Sequence, residues 1–226
     1  MTRQEFQAIE GYMLDCMKDS AHDRQHVYRV LYSALDIAEA ESGVDDDVLI
    51  AACLLHDIGR ERQAGDLELD HAALGGAMAE AFLSSRGWEA PRARAVRRCV
   101  ETHRYRKGGA PQSVEAKILF DADKLEAAGA IGVARTMIYG GQAGEPLCVF
   151  DERGRILTEP TGEELSSFFQ EFNYKLRNVY DKFYTARAKS LAEERKRIAL
   201  DFYDCLYREI QQGHDGGAHR LEKLLK

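Results

Sequence analysis

The stretch Val48–Ile58 reads VLIAACLLHDI, and nine of its eleven residues are apolar. Wound into helix it is apolar on every side, so neighbouring elements must cover it all round. The rest of the chain fits that demand. Only four prolines punctuate 226 residues, apolar positions recur three and four apart, and period-two alternation is scarce. The pattern predicts an all-α fold, a compact single-domain helical bundle. Helices are expected over 3–18, 23–42, 46–58, 71–86, 91–104, 114–126, 128–139, 161–187 and 189–212.

Junction residues support several of these boundaries. Gly43 stops one helix, and Asp45–Asp47 supply an N-cap and first-turn negative charge for the next. Gly87 closes the fourth helix, Pro91 suits the first turn of the fifth, and Asp23 is placed to cap the second. The irregular stretch 140–160 is expected to hold a short hairpin around Glu152–Gly154 and to act as a lid or specificity segment. One domain spans 1–226, with a core of about 20–210 and a flexible, glycine-rich tail over 213–226.

Composition narrows the function classes. A net charge of −7 argues against a protein that coats polymeric nucleic acid, whose phosphates demand an excess of Lys and Arg. Five scattered cysteines without a CxxC pair read as reduced thiols. No apolar run reaches the roughly 18 residues that a membrane span needs, and no signal-peptide pattern opens the chain. A cytoplasmic protein without a membrane partner is the expectation, with its oligomeric state open.

The chemistry gathers at the end of the apolar stretch. Composition alone gives about half a His-Asp dipeptide in a chain like this. Three occur, at His22-Asp23, His56-Asp57 and His214-Asp215, but only the middle one is embedded in apolar helix. A buried carboxylate costs several kcal/mol unless it is paired or ligates a metal. Partners for Asp57 follow from helical spacing. His26 shares a stripe with Val30, Ala34 and Ile37, His71 with Leu74, Met78 and Phe82, and His103 with Val96, Cys99 and Val100. A lone histidine on such a face is more often a hydrogen-bonded core residue, but three beside a buried His-Asp pair reverse those odds. Asp121 and Asp123 stand about 200° apart on a helix, so one of them must face away. Asp123 lies on the apolar stripe of Ala116, Leu119, Phe120, Ala127 and Ala130. Asp121 has Lys117 and Lys124 for company and is expected at the surface.

The set His26, His56, Asp57 and Asp123 makes a mixed nitrogen and oxygen site suited to a divalent ion. His71 and His103 stand as further acids or bases or as ligands of a second metal. Asp57, His71 and His103 are the catalytic candidates. Of the surrounding cations Arg29, Arg60, Arg62, Arg104, Lys107, Lys124 and Arg135, most read as solvated charge. Lys124 is the favoured phosphate contact, with Arg135 and Arg29 also as substrate-binding candidates.

These residues, in the strings DRQHVYRV, AACLLHDIG, LDHAALGGAMAE and FDADKLEAAGAIGVARTMIYGG, resemble the HD-domain superfamily of metal-dependent phosphohydrolases, in its small single-domain bacterial branch. The resemblance runs over roughly residues 20–210. It implies an all-helical fold and a divalent metal (Mn, Fe, Mg, Ni or Zn) on His26, His56, Asp57 and Asp123. It also implies hydrolysis of a phosphate ester or anhydride, most readily of a nucleotide, by a metal-activated water. A nucleotide-sensing module without turnover, or a di-iron oxygenase of the same superfamily, is the alternative.

Overall fold

The computed structural model describes residues 1–17, 24–61, 70–104, 109–160 and 167–225. Among these the chain forms nine α-helices and one 3-10 helix, and no strand. The all-α expectation holds. Asp23, the expected cap of the second helix, lies outside the described residues.

The chain divides into two compact units. The first comprises Met1–Glu126 with Phe183–Ala188, and the second Ala127–Lys182 with Lys189–Lys226. The first holds α1 (Arg3–Cys16), α2 (Arg24–Ala38), α3 (Asp46–Leu55), α4 (His71–Ser85), α5 (Ala90–Glu101) and α6 (Val114–Leu125). As its composition requires, α3 is the hub. It packs against α1, α2, α4, α5 and α6, and between Val48 and Leu55 only Ile50 escapes full burial. Asp45 starts α3 by accepting from the backbone N–H groups of Asp47 (3.1 Å) and Val48 (3.2 Å). Its carboxylate also receives Nε and Nη2 of Arg92 from α5, at 3.0 and 2.6 Å. Asp45→Ala removes cap and cross-link together, so a loss of about 1–2 kcal/mol is expected in a denaturant titration. The Arg92 pair and the Val48 N–H hold the Asp45 pKa below its ordinary value against partial burial. Its contribution is therefore full at neutral pH and fades as acid titrates the folded carboxylate.

The helix α3 ends at Leu55, with His56 as its C-cap and Asp57 just beyond. The pair thus sits in the turn after the helix, one step later than the sequence reading placed it. In that turn Gly59 lies against the start of α4, so close that a Cβ there would overlap the His71 carbonyl oxygen.

The second unit contains α7 (Gly129–Ala143), α8 (Phe168–Tyr174), the 3-10 helix Leu176–Asp181 and most of α9 (Ala186–Leu224). The helix α7 runs four residues past its expected end and is closed by Gly144 in the left-handed region (φ 74°). Phe150 and Ile156 then form an antiparallel bridge around the anticipated Glu152–Gly154 turn. Two expectations fail here. The single helix over 161–187 is, among the described residues, α8, the 3-10 helix and then non-helical chain before α9. The tail expected to be flexible is helical to Leu224. His214 stacks on Phe150 with ring centroids 4.2 Å apart, and Gln211 Nε2 donates to the Gly154 carbonyl at 2.8 Å. These tertiary contacts offset the roughly 1 kcal/mol that each helical glycine costs.

Candidate metal centre

The first unit brings six of the sequence-derived residues together. His26, in the first turn of α2, has Nε2 3.2 Å from Asp123 Oδ1 near the end of α6 and 3.4 Å from His56 Nε2. His56 Nε2 is 3.9 Å from the same Asp123 oxygen. His26, His56 and Asp123 thus form one group able to hold a cation. Asp57, His71 and His103 form a second. Asp57 stands between them. Its Oδ2 lies 3.5 Å from His56 Nε2 and 3.7 Å from His26 Nε2, while its Oδ1 lies 3.6 Å from His103 Nε2 and 3.9 Å from His71 Nε2.

Helix geometry aims the rings. His56 Nδ1 donates back to the Cys53 carbonyl at 2.7 Å, and His103 Nδ1 to the Val100 carbonyl at 2.6 Å. Each ring follows a helix by one or two residues and bonds the carbonyl three positions back. With the proton on Nδ1, Nε2 keeps its lone pair for the cluster. His26 Nδ1 instead faces Glu126 Oε2 at 3.2 Å.

The donor set fits a divalent metal. Asp57 Oδ1 and His103 Nε2 are both buried and lack a hydrogen-bond partner among the described residues, yet they point at one another. Buried polar atoms are rarely left so, and a cation between them would satisfy both. Imidazoles and carboxylates without a thiolate suit a mid-row divalent ion.

Electrostatics agree. Burial opposes ionisation of Asp57, but His56, Arg60, His103 and His26 outweigh it and hold the carboxyl well below its usual range. Burial opposes ionisation of Asp123 too, and His26 and His56 depress it in the same way. For His26, burial disfavours the charged form, while Asp123 and Glu126 favour it more strongly and lift its pKa to about 9. Burial, with Arg60 and Arg104 nearby, pushes His71 down to about 3, so it stays neutral and able to donate a lone pair. Burial likewise lowers His56.

The cations are distributed differently from expectation. Arg60 Nε is 2.6 Å from Asp57 Oδ2, and Arg104 Nη1 is 2.8 Å from His71 Nε2. Arg29 directs Nε and Nη2 at Glu126 Oε2. The Lys124 ammonium lies over the Phe120 and Phe183 rings, 5.5 and 5.1 Å from their centroids. Arg135 belongs to the second unit, where its guanidinium lies over Tyr139. Arg62 and Lys107 lie outside the described residues.

Asp121 corrects the sequence reading. It is fully buried rather than at the surface. Its carboxylate accepts from the backbone N–H groups of Tyr184 and Thr185 and from the Thr185 hydroxyl, at 2.7–3.1 Å. Those N–H groups are thereby taken from any continuing helix, which explains the break before α9. Glu126 was missed altogether, although it stands three residues after Asp123 on the same helical face.

The chain is similar to several known proteins. Residues 24–128, which contain all six cluster residues, match the HD domain. This stretch of the chain matches the HD-domain family. The whole chain is 27% identical to an HD-superfamily hydrolase from Bacillus thuringiensis of known structure, with a TM-score of 0.69 over 92% of this chain and 97% of the other. The uncharacterized protein YpgQ of Bacillus subtilis is 29% identical over 85% of this chain and 86% of its own length. A crystal structure of YpgQ in complex with ADP superposes with a TM-score of 0.68 at 26% identity, covering 89% of this chain and 97% of that one. No described helix is long and apolar enough to cross a membrane.

Proposed function

We propose that this chain is an HD-type metal-dependent phosphohydrolase acting on a phosphate ester or anhydride of a nucleotide. The observation that carries the reading is the buried Asp57 carboxylate facing two His-containing groups through its two oxygens. His26, His56, Asp57 and Asp123 would hold a divalent ion (Mn, Fe, Mg, Ni or Zn), and Asp57, His71 and His103 would serve a second. Such an ion supplies Lewis acidity and brings the pKa of water down to about 7.

The chain's own residues do the remainder. Asp57, ionised at neutral pH, orients the attacking water by accepting a hydrogen bond from it. With a single ion bound, His71 or His103 relays a proton from solvent to the leaving oxygen, taking one up at one ring nitrogen as the other gives one away. Lys124 meets a phosphoryl oxygen by moving from its aromatic seat on its flexible stem, and Arg29 is a further substrate contact. The nucleotide preference leans on the ADP complex of YpgQ. The same reading makes 1–226 one working HD protein, cytoplasmic, with a small phosphorylated partner and neither membrane nor polymeric nucleic acid.

The test is elemental analysis of the purified protein, then a screen of nucleotides and phosphate esters with the found metal restored. Phosphate release that stops on chelation is expected. Tight nucleotide binding without release would instead make it a sensing module, and oxygen consumption with two irons an oxygenase. In the active case Lys124→Ala should raise KM about 10- to 100-fold, the worth of a charge-assisted contact, with kcat nearly kept. An unchanged KM removes Lys124 from the role.

A further inference from the structure

We infer that Glu126 is a positioning residue of the metal centre, fixing the His26 imidazole with Nε2 turned toward the ion while Arg29 balances its charge. This rests on reading the cluster as a metal centre. The end of α6 presents two carboxylates three residues apart, and they address opposite nitrogens of one ring. Asp123 Oδ1 lies 3.2 Å from His26 Nε2, and Glu126 Oε2 lies 3.2 Å from His26 Nδ1. The same Glu126 oxygen accepts from Arg29 Nε at 2.9 Å and Nη2 at 2.8 Å.

Local structure gives no reason for an acid at this point. Glu126 is the C-cap of α6, where the helix dipole disfavours negative charge. It is also only 4% exposed, and burying a carboxylate there is costly unless its partners repay it. Those partners are not local: both come from α2, 100 and 97 residues away in sequence.

His26 in turn needs an outside group. His56 and His103 are oriented by carbonyls three residues back. His26 stands in the first turn of α2, and its Nδ1 turns to Glu126 on another helix instead. A carboxylate on Nδ1 fixes tautomer and ring plane together, and it strengthens Nε2 as a donor.

The experiment is a Co2+ titration of the full chain, followed by the ligand-field absorption of the ion. Glu126→Gln keeps the shape and removes the charge, and an affinity loss of about 10- to 100-fold is expected. Arg29→Met keeps the carboxylate, and its affinity should stay within about threefold of wild type, a loss of under 1 kcal/mol. Equal losses in both variants would reduce the pair to a structural ion bridge and overturn the inference, as would wild-type affinity in Glu126→Gln. A wild type that binds no Co2+ would instead defeat the metal-centre reading itself. Should Glu126→Gln fail to fold, long-range proton–nitrogen spectra of the Zn2+-loaded wild type decide. His26 coordinated through Nε2 with a protonated Nδ1 supports the role, and coordination through Nδ1 ends it.

Discussion

Asp57→Asn is expected to strip the protein of bound metal and of turnover together. The amide is nearly the size of the carboxylate, so packing is kept while the charge is lost. Asp57 serves His26 and His56 through one oxygen and His71 and His103 through the other. Asparagine must turn its NH2 toward one of these groups, and a donor there repels a cation. The loss should exceed the roughly 10- to 100-fold that removal of an outer partner costs a metal site. Elemental analysis after dialysis, with phosphate release on the substrate found in the screen, reads both effects. Two narrower variants apportion them. Asp123→Asn touches only the group containing His26 and His56, and His103→Gln only the group containing His71. If two ions bind, each should lower the stoichiometry by one, whereas Asp57→Asn lowers it by two. Full metal content and rate in Asp57→Asn would exclude the carboxylate from the centre.

The six cluster residues were legible in sequence because each sits on, or just after, a helix whose apolar spacing fixes an inward face. His26 illustrates it: Val30, Ala34 and Ile37 are all buried, and the imidazole goes with them. Asp121 was not legible. Its partners are backbone N–H groups of Tyr184 and Thr185, more than sixty positions on, and a backbone donor carries no residue code. Lys117 and Lys124 made a solvated surface look plausible, yet α6 is buried from Ile118 to Ala122 without interruption. Glu126 carried a signal, since spacing of three from Asp123 puts it on the same face, but a lone glutamate at a helix end ordinarily reads as solvated charge. The C-terminal helix failed for another reason. Glycines at 213, 216 and 217 argue locally for a break, and the distant Phe150 and Gly154 contacts oppose it.

Gly59→Ala is expected to damage stability and site at once, and space alone is the reason. Gly59 does not adopt positive φ among the residues that do, so the backbone tolerates alanine. The surroundings do not. An added Cβ would overlap the His71 carbonyl oxygen and lie 2.9 Å from the Gly75 backbone nitrogen. Both obstacles are main chain of α4, which cannot swing aside as a side-chain tip can. The turn carrying His56 and Asp57 must therefore separate from the helix carrying His71. Overpacking of this kind costs about 1–3 kcal/mol or more, and the Asp57–His71 approach of 3.9 Å widens with it. A denaturant titration should show the loss, and Co2+ binding by the second group should weaken in the same variant. Gly11→Ala is the contrasting case. Within α1 a Cβ at Gly11 meets nothing within 4 Å, so helix propensity rules and the change should stabilise by up to about 1 kcal/mol. If Gly59→Ala were as benign as Gly11→Ala, the close approach of the His-Asp turn to α4 would not be what holds His71 beside Asp57.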